Sequence, residues 1–286
     1  MRNLSKIGSY ISNRIGRAIA DHGLIEDKDR ILVAVSGGKD SLTLLKLLVE
    51  RQRWAPVKFE LIAMHVETDF RCAGCVHTKK LKAFFDELGI KSHFEKISLK
   101  DKGKAGKIGV KKGLIDKGLG DKGTSCFWCS WNRRKALFLA ADKLKCNKIA
   151  FGHHKDDIIE TLLLNIFYQG EFAAMNPRQE LFGGKIALIR PLCYVEEENM
   201  KKFAKESGFP SQVCRCPNSD TSKRRLMKNM IKKLEKGCPS VRTNIFNSVS
   251  RVKEDYINLS RSGGTHPLKN TQRKGGETKW QKKSRR

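Results

Sequence analysis

The chain of 286 residues contains no apolar run of the roughly 18 residues or more that a transmembrane helix needs. Acid is scarce: 30 Asp and Glu stand against 58 Lys and Arg, a formal net charge of +28. That surplus favours a polyanionic partner such as nucleic acid, because Lys and Arg on phosphates supply most sequence-independent affinity. Met1 to Gly23 lacks the apolar h-region of a signal peptide and reads as a basic amphipathic helix, with Leu4, Ile7, Ile11, Ile15, Ala18 and Ile19 at three- and four-residue spacing. The expectation is a cytoplasmic protein with no membrane association. Nine cysteines in a reducing compartment argue against a disulfide framework and towards metal or redox chemistry for those that cluster. A Walker A loop, G-x-x-x-x-G-K-[ST], is also missing.

In its place stands Val35-Ser36-Gly37-Gly38-Lys39-Asp40-Ser41, which follows the apolar run Ile31 to Val35 and precedes the helical pattern Leu42, Leu44, Leu45, Leu47, Leu48. Strand, tight turn and helix start in that order bind phosphate. Two glycines leave backbone N–H groups uncovered, the helix start adds partial positive charge, and Ser36, Lys39 and Ser41 add donors. The segment matches S-G-G-x-D-S, the PP-loop of the ATP pyrophosphatases, and makes Ser36, Gly37, Gly38, Lys39, Asp40 and Ser41 candidate ATP-binding residues.

Beyond Gly23, strand-like runs at Ile31 to Val35, Phe59 to Val66, His93 to Ile97 and Lys148 to Phe151 alternate with helical patterns. The helices are expected at Leu42 to Arg51, Thr78 to Leu88, Trp131 to Leu144 and Asp157 to Tyr168. Such alternation predicts an α/β fold with a doubly wound, mostly parallel sheet, whose ligands sit outside the carboxyl ends of the strands. Asn199 to Gly208, Ser222 to Leu234 and Val241 to Val252 read as helices of a small C-terminal subdomain. The expected divisions are an N-terminal helix (1–24), a nucleotide-binding domain (25–192), a helical subdomain (193–258) and a basic tail (259–286) too poor in aliphatic residues to fold. Lys100 to Gly123, rich in glycine and lysine, forms a long loop of the kind that is functional or disordered.

Cys126-Phe127-Trp128-Cys129 can ligate one metal centre, but zinc or an iron–sulfur cluster normally needs further ligands, for which Cys214 and Cys216 are candidates. Cys72, Cys75 and His77 offer three ligands of a second site without an obvious fourth. Cys146, Cys193 and Cys238 stand alone and read as core residues. Gly152-His153-His154-Lys155-Asp156-Asp157 closes the fourth strand and opens a helix. Its two carboxylates suit N-capping, and they also lie on the strand-end crevice, where Gly152 and Asp157 would meet the nucleotide and Asp156 would hold Mg²⁺ or orient the acceptor.

These motifs together resemble the tRNA 2-thiocytidine synthetase (TtcA) family of PP-loop sulfurtransferases. The likeness runs from Leu4 to Val252 through Ser36 to Ser41, Ala55 to Leu61, Cys126-x-x-Cys129 with Arg133-Arg134, the stretch 152–157, Arg190-Pro191-Leu192, and Phe209-Pro210 leading to Cys214. The resemblance implies an ATP pyrophosphatase fold, tRNA as substrate, ATP and Mg²⁺, and a [4Fe-4S] cluster held by Cys126, Cys129 and Cys214. Where the family commonly continues the third cysteine as C-x-x-C, this chain has Cys214-Arg215-Cys216, so two thiols compete for one ligand position. The implied reaction adenylates the C2 oxygen of a pyrimidine, cytidine 32 of the anticodon loop, and replaces it with sulfur. Lys39 and Asp40 would serve the departing pyrophosphate and its Mg²⁺, Arg133 negative charge near the cluster, and Asp156 the base or metal. A cysteine desulfurase or other sulfur donor and a homodimer complete the expectation. The rivals are a 2-thiouridine or lysidine-type tRNA enzyme, which in the lysidine case needs no cysteines, and a zinc-containing RNA-binding protein.

Overall fold

A computed structural model describes residues 4–68, 78–98, 126–209 and 223–256, with the side chains of Cys126, Phe127 and Glu254 outside that description. The chain divides into two units, 1–249 and 250–286. In the second, one 3₁₀ turn, Glu254–Tyr256, is described.

The first unit runs α1 (Lys6–His22), β1 (Arg30–Ala34), α2 (Lys39–Gln52), β2 (Glu60–Thr68), α3 (Thr78–Glu87), β3 (Lys91–Ile97), α4 (Cys126–Lys143), β4 (Lys148–Ala150), α5 (Lys155–Gln169), β5 (Arg178–Leu181), β6 (Ile186–Ile189), α6 (Glu197–Glu206), α7 (Lys223–Glu235) and α8 (Val241–Ser248). Six strands form one sheet in the order β3-β2-β1-β4-β6-β5. All neighbours are parallel except the β5–β6 pair, which closes one edge. The doubly wound α/β sheet is thus as expected. The β5–β6 pair adds to that expectation; it carries little sequence signal, because the burial of β5 alternates only weakly.

Burial on both faces explains the sheet's near-continuous apolar strands. Ile31 and Val33 of β1 point into a core shared with α1, α2 and α3, whereas Leu32 between them joins Ile62, Met64, Ile149 and the α4 residues Leu137, Ala140 and Ala141 on the other side. A third cluster locks α5 to α7 through Ile159, Leu163, Met227 and Ile231. Helix α1 starts on Ser5, whose Oγ accepts from Gly8 N–H at 3.1 Å, and lays Ile11, Ile15 and Ala18 on the core. It approaches its neighbours closely: a Cβ on Gly16 would meet the Arg51 guanidinium at 2.6 Å. That buried guanidinium donates to Ser12 C=O at 2.6 Å.

Three local expectations change. Helix α4 begins at Cys126, not Trp131, so the C-x-x-C pair lies within its first turn; no glycine or proline interrupts 126–131, but the apolar period starts later. Helix α8 ends at Ser248. Cys146 and Cys193 are buried, but Cys238 is exposed, because it sits in the polar turn after α7 and not on a helix face. The sheet's crossovers turn one way from β1 to β2 and β3 and the other way to β4, which places a topological switch point at the carboxyl ends of β1 and β4.

Candidate active site

The chain after β1 forms the expected loop at this switch point. Val35 N–H makes a last rung to Met64 C=O at 2.8 Å. Gly37 then adopts φ 85°, a left-handed conformation that side chains resist. Gly38 is the N-cap of α2, and no side chain caps that helix. The serines instead tie the turn to itself: Gly38 N–H donates to Ser36 Oγ at 3.3 Å, Ser41 Oγ donates to Gly38 C=O at 2.9 Å, and the two hydroxyls are 3.2 Å apart. The first N–H groups of α2 therefore have no intrahelical partner and no cap, which is the arrangement that receives an anion.

Gly152, at the end of β4, braces this turn from behind. A Cβ there would lie 3.0 Å from Asp40 C and from Ser41 N, so any larger residue would require this backbone to give way by a few tenths of an ångström. Asp40 Oδ2 is 3.0 Å from Lys39 Nζ, whereas Asp40 Oδ1 is buried without a hydrogen-bond partner. An orphaned carboxylate oxygen beside an anion cradle is a hard donor of the type that fits Mg²⁺.

Lys39 also faces a carboxylate that no sequence motif marks, Glu197 of α6, at 3.8 Å. Glu197 accepts from Lys228 Nζ of α7 at 2.5 Å, and its backbone N–H donates to Asp156 Oδ2 at 2.7 Å. The other oxygen of Asp156 accepts from Arg242 of α8, which in turn clasps Glu235. Burial alone would raise the Glu197 pKa; the hydrogen bond and charge of Lys228, with Lys39 and Lys201, outweigh it and hold the group at about 2. Both oxygens of Asp156 are thus taken by protein groups, and the residue is buried.

Asp157 has the N-capping role that its position allows: Oδ2 accepts from His154 N–H at 3.0 Å while Oδ1 accepts from Arg224 Nη1 at 3.0 Å. One turn on, burial lifts the Glu160 carboxyl to about 7 despite Arg224 at 3.8 Å. His153 stacks on Phe151 with ring centroids 5.5 Å apart, and its Nδ1 is buried without a partner. Burial is the main cause that takes its pKa down to about 4; Asp157 opposes this, and Arg190, Arg224 and Arg134 reinforce it. His65, within β2, lies beside the start of the loop with Nδ1 2.7 Å from Val35 C=O. A carbonyl only accepts, so Nδ1 carries the proton and the neutral ring leaves Nε2 as an acceptor. Burial lowers its pKa, and the charge of Arg133 adds to the effect.

Arg133 and Arg134 are exposed on α4, whose N-terminus follows β3 and so belongs to the same sheet edge as the loop. Residues three apart share a helix face, which puts the Cys126 and Cys129 positions together on α4. Cys129 is half-buried. Cys214, Cys216, Cys72, Cys75, His77, the 100–123 segment and the 259–286 tail lie outside the described residues. Among the described residues no group of three or more His, Cys, Asp or Glu gathers as a metal site. The structure thus unites Ser36 to Ser41, Gly152, Asp156 and Asp157 at one edge. It adds His65, Glu160, Glu197, Arg224, Lys228 and Arg242, single charged or polar residues that carry no motif in the sequence.

An anion-binding glycine turn at a switch point, backed by a second glycine and ringed by lysine and acid, defines a PP-loop nucleotide-binding α/β protein. A family model described as a PP-loop domain matches residues 9–233. The tRNA-cytidine(32) 2-sulfurtransferase of Geobacter sulfurreducens is 40% identical over 249 residues, covering 86% of this chain and 91% of that protein. The protein of the same name from Teredinibacter turnerae is 36% identical over 254 residues, covering 88% of this chain and 79% of its own. The U34-tRNA thiolase NcsA from Methanococcus maripaludis, solved with its [4Fe-4S] cluster, superposes with a TM-score of 0.65 at 22% identity over 88% of this chain and 80% of its own, a likeness of fold. The chain belongs to the PP-loop family, in its tRNA-cytidine(32) 2-sulfurtransferase branch.

Proposed function

We propose that the protein is an ATP-dependent tRNA thiolation enzyme that replaces the C2 oxygen of cytidine 32 with sulfur. The observation that carries this reading is the bare N-terminus of α2, braced by Gly152 and flanked by Lys39 and Asp40, in a chain 40% identical to an enzyme of that name.

The C2 oxygen is a poor leaving group. Its attack on the α-phosphorus of ATP forms an O–P bond and expels pyrophosphate, whose charge falls on the loop N–H groups and Lys39. Asp40, through its unpartnered oxygen, would hold Mg²⁺, which would supply positive charge to the phosphates when bound. Glu197 and Lys228 fix the range of the Lys39 side chain. Asp156 acts as a positioning residue that ties α5 to α6 and α8, and Asp157 keeps the start of α5 in register with Gly152. A sulfur nucleophile then attacks C2, the C–O bond breaks, and AMP leaves. Arg133 offsets negative charge on that side of the site. The base must leave its stack to enter, which costs least in a single-stranded loop.

Cys126, Cys129 and Cys214 would hold a [4Fe-4S] cluster, their thiolates being the donor type such clusters take. When bound, its iron without a protein thiolate offers sulfide a coordination position. The reading includes a cytoplasmic location, a cysteine desulfurase or comparable sulfur donor, and a homodimer. Among the described residues no helix is long and apolar enough to cross a membrane.

The test incubates anaerobically purified protein with ATP, Mg²⁺, sulfide, free lysine and unmodified tRNA, followed by mass spectrometry of the nucleosides. The expected product is 2-thiocytidine with equimolar AMP and pyrophosphate, lost together with the brown colour in Cys129→Ser. Appearance of 2-thiouridine or lysidine, or no AMP release, would overturn the assignment.

A further inference from the structure

Helix α7 carries more positive charge than the site uses. Its sequence KRRLMKNMIKKLE holds six Lys and Arg against one Glu. Met227 and Ile231 pack against α5, and two cations turn inward: Arg224 to Asp157 and Thr161, Lys228 to Glu197. The remaining cations, Lys223, Arg225, Lys232 and Lys233, are exposed, and Lys236 continues the row. Lys233 and Lys236 have no ion pair among the described residues.

One of these cations, Lys223 at the start of the helix, borders aromatic surface. Lys223 Nζ lies 4.1 Å from the centre of the Tyr168 ring at the end of α5. Phe167 and Phe172 beside it are 59% and 53% exposed. Two phenylalanines in water are costly for a protein that leaves them without a partner, and lysines next to aromatic faces are the pairing by which proteins hold a phosphate backbone and stack a base.

We propose that the outer face of α7, together with the aromatic end of α5, is the docking surface for tRNA. The claim rests on the tRNA reading above and adds the place and mode of binding. Charge complementarity selects the occupant. A second copy related by a two-fold axis would set one cationic α7 against another, in a chain already at +28, and like charges repel. A polyanion neutralises the same row. Arg224 and Lys228 leave from the same helix towards Asp157 and Glu197, so RNA gripped on the outside is registered against the loop inside.

The experiment measures binding of unmodified tRNA to the full chain by fluorescence anisotropy over a series of salt concentrations. It compares wild type, the triple variant Lys232→Glu, Lys233→Glu, Lys236→Glu, its milder Gln counterpart, and Phe167→Ala with Phe172→Ala. The triple Glu variant is expected to lose roughly tenfold or more in affinity, and the slope of log affinity against log salt to become shallower by about 0.7 to 0.9 for each phosphate no longer neutralised. The aromatic pair should weaken binding with little change of slope, since stacking releases no counterions. ATP-induced thermal shifts should match wild type in every variant. If wild type binds tRNA and the charge variants keep both affinity and slope, the surface is wrong while the tRNA reading stands. If wild type binds no tRNA, that reading itself falls. If the aromatic variant instead converts a dimer to monomer in sedimentation with tRNA affinity intact, the aromatic end is a protein interface and the proposal is overturned there.

Discussion

Replacing Glu197 with Gln removes the one charge that three lysines share. The carboxylate is 17% exposed, 2.5 Å from Lys228 Nζ, 3.5 Å from Lys201 Nζ and 3.8 Å from Lys39 Nζ. Its pKa is held at about 2 against an ordinary 4.5, which at 1.36 kcal/mol per pH unit amounts to about 3 kcal/mol of stability at neutral pH. Because the folded pKa is depressed, that contribution is complete above about pH 5 and is lost as pH falls towards 2. Urea unfolding of wild type and Glu197→Gln across this range reads the difference directly, and other carboxylates cancel. Glu197→Gln should be less stable by about 2 to 3 kcal/mol at pH 7, and the gap should shrink to less than half by about pH 3. The same substitution frees Lys39 from its second carboxylate, so KM for ATP should change as well. A stability gap below about 0.5 kcal/mol at pH 7, in the range of an exposed pair, or one that does not vary with pH, would refute the view that Glu197 anchors this cluster.

Lys148→Met should cost about 3 to 5 kcal/mol in thermal or urea unfolding, because it leaves Asp29, 4% exposed and 2.7 Å from the ammonium, as an uncompensated buried charge. Gly152→Ala should slow pyrophosphate release at least tenfold with the fold retained by circular dichroism, since the new methyl must push the Asp40–Ser41 backbone away. Wild-type pyrophosphate release would show that the two loops do not touch in the working enzyme. Glu160→Gln should stabilise the protein above pH 7 by up to about 3 kcal/mol and have no effect below about pH 4.5. A carboxyl raised to about 7 charges at growing cost as pH rises through that window.

The parallel sheet, its helices and the phosphate loop are legible in the sequence because their signals are local and dense: five apolar residues into two glycines, then a run of leucines at helical spacing. Gly152 is legible for the same reason, as part of GHHKDD at a strand end. Glu197, Lys228 and Arg242 are not, because a single charged residue on an amphipathic helix looks like any solvated one until α6, α7 and α8 are folded over the strand ends. Asp156 is the instructive case. Its sequence position points to the crevice, but only the neighbouring Arg242 and the Glu197 N–H reveal that its oxygens are already engaged. Cys238 reads as core from its residue type alone, whereas the glycine and proline around it mark the exposed turn it occupies.

A helix that begins on glycine with no capping side chain keeps its first N–H groups in reserve, and the resting protein is less stable by what a capping side chain adds over glycine, a few tenths of a kcal/mol. Nucleotide returns that deficit and more: at about a hundredfold excess over Kd, saturation adds about 2.7 kcal/mol. Heat resistance of this protein is therefore a gauge of the surrounding ATP pool.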